Sequence, residues 1–438
     1  MNKFRFSFIF ALLTITSFML TACVQPPQNN APVNQTPVNQ APSPTPANTN
    51  QQLSVNIPLT LPVLDAMFAD EAFSAELRSK LGLTDEQIEK LKNKAREAVI
   101  NLSETENGST AEAVKSAERE IGVIIGEAKT KELADFINQR PMDGELADLA
   151  EGRPNQVPTD TRIVVNIPAY RMDVYKNGKL VRTYKIGIGY PEFPLPTGMR
   201  KAKGIIFNPT WTPPDEPWVK GKVKPFEKIE AGSRLNPLGP IKIPIGLPSL
   251  IHGGKNPWRL GTFASHGCVG LTNPQVQDFA LALAQISETP LTSADVANYE
   301  KNKTETKNVK LSQPISIELR YETIVVEDGK LHIYRDVYER GTNTEENLRK
   351  VLESYNAPFD SLNETEKSRI QTALSQMALN AQGNAKRSKK NKNASGSVTR
   401  SIKGAKEVVI EIAALKGKGY PAPVDLNTGG RSRKPFEL

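Results

Sequence analysis

The stretch IHGGKNPWRLGTFASHGCVGLTN, residues 251–273, holds one of the chain's two cysteines and two of its three histidines. His252, His266 and Cys268 suit acyl transfer. A thiol attacks a carbonyl as thiolate, and a free cysteine with a pKa of ~8.5 is only a few per cent ionised near neutrality. A neighbouring imidazole can take the thiol proton and return it to a leaving amine. Gly267 permits a tight turn that exposes the sulfur and aims successive backbone N–H groups at a developing oxyanion. A helix starting just beyond could lower the thiol pKa through its dipole. On residue types alone two other uses stay open. Cys268 could be a small buried hydrophobe beside structural histidines, or the three residues could share a zinc ion. Zinc would need a fourth ligand, and the spacing matches no common closed site.

The compartment bears on this choice. MNKFRFSFIFALLTITSFMLTAC places Lys3 and Arg5 before an apolar run from Phe6 to Leu20, then Thr21, Ala22 and Cys23. The run is too short and too near the terminus for a bilayer span, and reads as a cleaved signal peptide over 1–22. Leu20–Cys23 resembles the lipobox of bacterial lipoproteins, whose cysteine is acylated and becomes the new N-terminus. Cys268 would then be the sole thiol of the mature chain, and an unpaired cysteine in an exported protein needs a reason. Charge is uneven. The chain carries +8 overall; residues 381–438 hold thirteen Lys/Arg against four Asp/Glu, which leaves the body of the mature protein slightly acidic. A basic tail of this kind suits an acidic polymer or a membrane surface, or is simply a solvated extension.

Several elements must place the reactive residues. Residues 23–55, rich in Pro, Gln, Asn and Thr, cannot bury a core and read as a disordered tether. A helical accessory domain is expected over 56–150. Thr84 with Gln87 forms a capping-box signature, and Ser109 or Thr110 starts a second helix. From Thr161 apolar and polar residues alternate, and Asn177-Gly178 marks a hairpin, since both turn positions favour φ > 0. Short strand-like runs follow to about residue 340, with a second hairpin at Asp328-Gly329. Within them TNPQVQDFALALAQI reads as a helix capped by Thr272 or Asn273, with Val276, Phe279, Ala280 and Leu283 on one face. The fold class is therefore multidomain: a mainly β catalytic domain over 160–340 with one helix after the cysteine, preceded by the helical domain. A helical segment over 341–380 and a basic, partly disordered tail over 381–438 follow.

The pattern IHG, a spacer, then SHGCVGLTN resembles the signature of the L,D-transpeptidase (YkuD) family. VVNIPAYRMDVYKNGK, LPTG at 195–198, NPTWTPP at 208–214 and NPLGP at 236–240 resemble family blocks in the same order. The resemblance implies a β-sandwich or barrel and an enzyme acting on peptidoglycan stem peptides. Cys268 would be the nucleophile and His252 the proton acceptor and donor, its ring oriented by the Gly253 carbonyl. The N–H groups of Gly267 and Cys268 would form the oxyanion hole. His266 and Ser265 would support the loop, while Trp211, Trp258 and Asn273 would border the substrate. His332 lies outside the signature and reads as structural. One departure stands out: many members carry Arg or Asn where this chain has Gly270.

The resulting expectation is a lipid-anchored envelope enzyme. It would transfer a Cys-bound stem peptide to an amine, forming a 3→3 cross-link or attaching a protein, without metal, cofactor or nucleic acid. Hydrolysis on the same scaffold and non-catalytic wall binding are the alternatives. Val24 after the lipid cysteine favours the outer membrane.

Overall fold

The computed structural model describes residues 56–102, 108–140, 155–214, 219, 221, 223–379, 383 and 402–429. The expected signal peptide, Cys23 and the whole of the expected tether therefore lie outside the described residues, as does most of the stretch from 380 to 401.

Five helices open the described chain: α1 (Leu61–Met67), α2 (Glu71–Leu81), α3 (Asp85–Ile100), α4 (Thr110–Ile125) and α5 (Glu127–Gln139). Both halves of the Thr84–Gln87 capping box form, and Ser109 caps α4 by accepting from the Glu112 N–H. Ile88, Leu91, Ala95 and Val99 make the buried stripe of α3, at the spacing their periodicity predicts. Leu64, Phe73, Leu77, Ile121 and Leu133 join Ile88, Leu91 and Ala95 in a core of their own. The helices dock on the β region through a short segment. Thr60 and Thr110 donate their hydroxyls to the carbonyls of Glu192 and Pro191, each at 2.7 Å, and Asn56 exchanges backbone bonds with Thr197.

The catalytic region is mainly β. Its strands are β1 (Arg162–Asn166), β2 (Arg171–Lys176), β3 (Lys179–Lys185), β4 (Ile188–Gly189), β5 (Gly198–Phe207), β6 (Ile241–Pro244), β7 (Leu250–His252), β8 (Phe263–Ser265), β9 (Val269–Gly270) and β10 (Lys307–Arg320). Asn177 and Gly178 sit at φ +50° and +76°, so the β2–β3 turn has the two positive φ values its sequence calls for. The expected sandwich or barrel takes the form of one eight-stranded sheet, ordered β3-β2-β1-β10-β5-β6-β7-β9, with β4 and β8 paired separately. A helix covers it: α6 (Asn273–Ile286) sets Val276, Phe279, Ala280 and Leu283 into the core with Val165, Ile205, Ile243 and Ile251. Each such side chain, fully buried, contributes roughly 1.5–3 kcal/mol. Buried Asp278 fastens α6 to β3, accepting from Tyr184 Oη at 2.7 Å and pairing with Arg182 at 3.1 Å.

Beyond α7 (Ser293–Lys301) and β10, the chain builds another core. Strands β11 (Ile324–Glu327), β12 (Lys330–Tyr334) and β13 (Glu407–Glu411) form a three-stranded sheet. Helices α8 (Glu345–Ser354) and α9 (Glu364–Met377) pack on it through Leu348, Leu352, Ile370 and Met377. Part of the expected basic tail is thus folded. EVVIEI is too short to hold a core alone, but Ile410 and Ile412 complete one supplied by earlier elements. The tail then runs along β3, where Val424 and Asn427 exchange backbone hydrogen bonds with Thr183 and Lys185. This covers a strand edge that would otherwise be open to pairing.

Candidate active site

The loop carrying Cys268 is shaped at its glycine. Gly267 has φ +90°, which lets the chain reverse between β8 and β9. Buried Ser265 braces the turn: its Oγ accepts the Cys268 N–H at 2.9 Å and contacts the Cys268 carbonyl. In this structure the Cys268 N–H, expected to face an oxyanion, is thus held by Ser265. His266 packs edge-on against Tyr190 and Phe193, at centroid distances of 5.0 and 4.9 Å. It serves the loop as an aromatic brace.

His252 ends β7, which pairs in parallel with β9 so that Ile251 faces Val269 and His252 faces Gly270. Cys268 stands two residues before Gly270, in the bend that leads into β9. Among the described residues no hydrogen bond joins the Cys268 sulfur to His252, and the Leu250 backbone amide donates toward the thiol instead. Cys268 is half-buried. Burial pushes its thiol up, while the Leu250 amide and Lys255 pull in the opposite direction.

The His252 ring is buried, and its Nδ1 lies 2.7 Å from the Gly253 carbonyl. A carbonyl accepts only, so the neutral ring carries its proton on Nδ1. Burial first, and then the Lys255 charge, hold the imidazole pKa at about 3, against the Gly253 and Leu238 carbonyls, which favour the charged form. His252 is therefore neutral at any ordinary pH.

The outer residues take varied places. Asn273, the first residue of α6, spends its Oδ1 on the Gly254 N–H at 2.7 Å and so ties the turn after His252 to the helix that follows Cys268. Trp258 is 72% exposed and stacks against the Arg259 guanidinium. Trp211 is half-buried and bridges Ile229 through two backbone bonds of 3.0 and 2.7 Å. His332 pairs with Glu407 across β12 and β13, far along the chain from the loop. Thr272 is the α6 N-cap, in a capping box with Gln275. One cavity of about 860 Å³ lies between α1, α2 and Arg140 and strands β5, β6 and β10, and another of about 1260 Å³ is lined by α4, α5 and residues 338–340; Cys268 lines neither. Tyr190, Phe193 and Lys255 were not singled out from sequence. Only Lys255, three residues after His252, stood near enough to the motif to draw notice.

Comparison with known proteins locates this arrangement. Residues 160–291 match the family model of YkuD, described as the L,D-transpeptidase catalytic domain. Solved structures that resemble the chain include an L,D-transpeptidase from Mycobacterium smegmatis, 18% identical over 37% of this chain and 58% of that one, with a TM-score of 0.22. L,D-transpeptidase 3 from Mycobacterium tuberculosis is 15% identical over 36% of this chain and 60% of its own, with a TM-score of 0.21. The catalytic domain of the Enterococcus faecium L,D-transpeptidase is 17% identical over 38% of this chain and the whole of that domain, again with a TM-score of 0.21. The chain spans about three-fifths of the two mycobacterial proteins. No curated protein matches it. Residues 160–291, which hold both His252 and Cys268, are thus an L,D-transpeptidase catalytic domain of the YkuD family.

Proposed function

We propose that this protein is a cysteine-dependent L,D-transpeptidase acting on peptidoglycan stem peptides. The observation that carries the reading is the β7–β9 pairing, which brings the strand ending in His252, its Nδ1 bonded to the Gly253 carbonyl, beside the strand that directly follows Cys268, the one thiol of the domain. The Cys268 sulfur attacks the carbonyl of the stem's third residue as His252 Nε2 takes the thiol proton. The bond to the terminal D-alanine breaks, and the proton passes to the departing amine. An amine from a second stem or a protein then attacks the thioester and frees the thiol. The Gly267 N–H, which has no acceptor among the described residues, is the remaining oxyanion donor of the loop. For the two reacting groups to meet, the Cys268 side chain must swing from Leu250 toward His252, and catalytic hydrogen bonds often tighten only with substrate bound.

Incubation with disaccharide-tetrapeptide, followed by mass spectrometry, separates the outcomes. Dimers that have lost one D-alanine are expected. Tripeptide as the only product would make the protein a hydrolase, and unchanged tetrapeptide would leave wall binding as its task.

The reading includes anchoring of the protein in the envelope by lipid on Cys23, with the outer membrane favoured by Val24. Cys23→Ala should move the protein from the membrane to the soluble envelope fraction; unchanged detergent partitioning would remove the lipid from the proposal.

A further inference from the structure

Gly270 has no side chain, yet the space beside it is filled. A Cβ on Gly270 would lie 2.9 Å from both Cγ and Cε of Lys255, so the lysine stem rests against the glycine. Gly270 faces His252 across the ladder and follows Cys268 by two residues. In a parallel pair, facing residues share a side of the sheet. The stem of Lys255 therefore lies on the His252 side of Gly270, and Cys268 sits in the bend that leads directly into β9. The backbone fixes the lysine there. Gly254, at φ +79°, turns the chain, and the Lys255 N–H donates to the Leu271 carbonyl at 3.0 Å.

The ammonium has no carboxylate near it among the described residues; the charged groups acting on it are Cys268 and the repelling Arg259 guanidinium. Lys255 in turn eases ionisation of the Cys268 thiol and opposes protonation of His252. A half-buried cation without a counter-charge is unfavourable. The anion that can relieve it here is the thiolate.

We propose that Lys255 is a positioning residue of this site, its ammonium stabilising the Cys268 thiolate from the slot that Gly270 leaves open. The arrangement divides two tasks. His252, kept neutral, receives the proton, while Lys255 supplies the positive charge that a histidine held at about 3 cannot supply. Burial brings Lys255 down to about 8, so it remains mostly charged at pH 7 and its help fades as the pH rises through that value.

The proposal rests on Cys268 being the nucleophile, but its test needs no turnover. The rate of Cys268 alkylation by iodoacetamide is followed from pH 5 to 10 in the full chain, as wild type, Lys255→Met and Lys255→Arg. Methionine keeps an apolar stem against Gly270 and removes the charge. It should cut the thiolate-dependent rate at pH 7 about tenfold and move the profile to higher pH. Arginine should restore most of the loss. Gly270→Ala, whose methyl would push the lysine stem aside, should act in the same direction as Lys255→Met. An unchanged profile in Lys255→Met, or equal losses in the Met and Arg variants, would overturn the proposal. A shifted Lys255→Met profile in a protein that forms no acyl-enzyme with tetrapeptide would uphold it and remove the transpeptidase reading instead.

Discussion

Cys268→Ala should yield a folded protein that forms no acyl-enzyme and releases D-alanine from tetrapeptide on the order of 10⁴–10⁶ times more slowly than the parent. The folding half of this expectation follows from the loop. Its turn depends on Gly267 at φ +90° and on the bond from the residue-268 N–H to Ser265 Oγ, and neither involves sulfur. The half-buried thiol also contributes little apolar burial, so the stability loss should stay within about 1 kcal/mol. The catalytic half follows from the lack of any substitute. Cys23 lies outside the described residues, and the hydroxyl of Ser265 is committed to the backbone of residue 268. The measurement is intact mass after a single turnover, alongside D-alanine release. D-alanine release within tenfold of wild type would rule out Cys268 as the attacking group.

The parts of this site that could be read in the sequence are those set by local rules. Asn177-Gly178, the Thr84–Gln87 box and the Thr272 cap each depend on residues within four positions of one another, and each forms as its sequence predicts. The hydroxyl, imidazole, glycine and thiol of SHGC likewise sit within a single turn. What stayed hidden depends on partners far apart in the chain. β10 lies between β1 and β5 at the middle of the sheet, yet its closest ladder partner begins more than a hundred residues away. β13 reads as part of a basic tail until β12 offers it an edge. The role of Lys255 depends on an empty position fifteen residues later, and nothing in the residue types announces that pairing. The commitment of the Cys268 N–H to Ser265 is a choice between acceptors that only the folded loop settles. The helical unit shows the same limit. Its periodicity gives the helices, but not that they grip residues 191, 192 and 197, next to the two rings that brace His266.

His252→Ala should lower acyl transfer by ~10²–10⁴, the usual cost of losing a general base, while His266→Ala should lose stability first. The geometry separates the two histidines. His266 is closer in sequence to the thiol, but its ring is wedged against Tyr190 and Phe193, and removing those two edge-on contacts should cost roughly 1–3 kcal/mol. His252 ends the strand that pairs with β9, which directly follows Cys268, and has its Nδ1 proton directed to Gly253. The pH dependence gives a second signature. In the unfolded chain His252 titrates near 6.5, whereas in the fold burial holds it at about 3. Between these values the unfolded state binds a proton that the native state does not. Stability is therefore fully present above pH 6.5 and falls as the pH drops toward 3, by up to about 1.4 kcal/mol per pH unit. His252→Gln should flatten that acid slope, read from urea midpoints between pH 4 and 7, and His266→Ala should lower the midpoints at all of these values. The base should also show no activity loss near pH 6.5, since His252 stays neutral well below it. An activity limb at pH 6.5 that disappears in His266→Ala, with His252→Ala still turning over, would exchange the two roles.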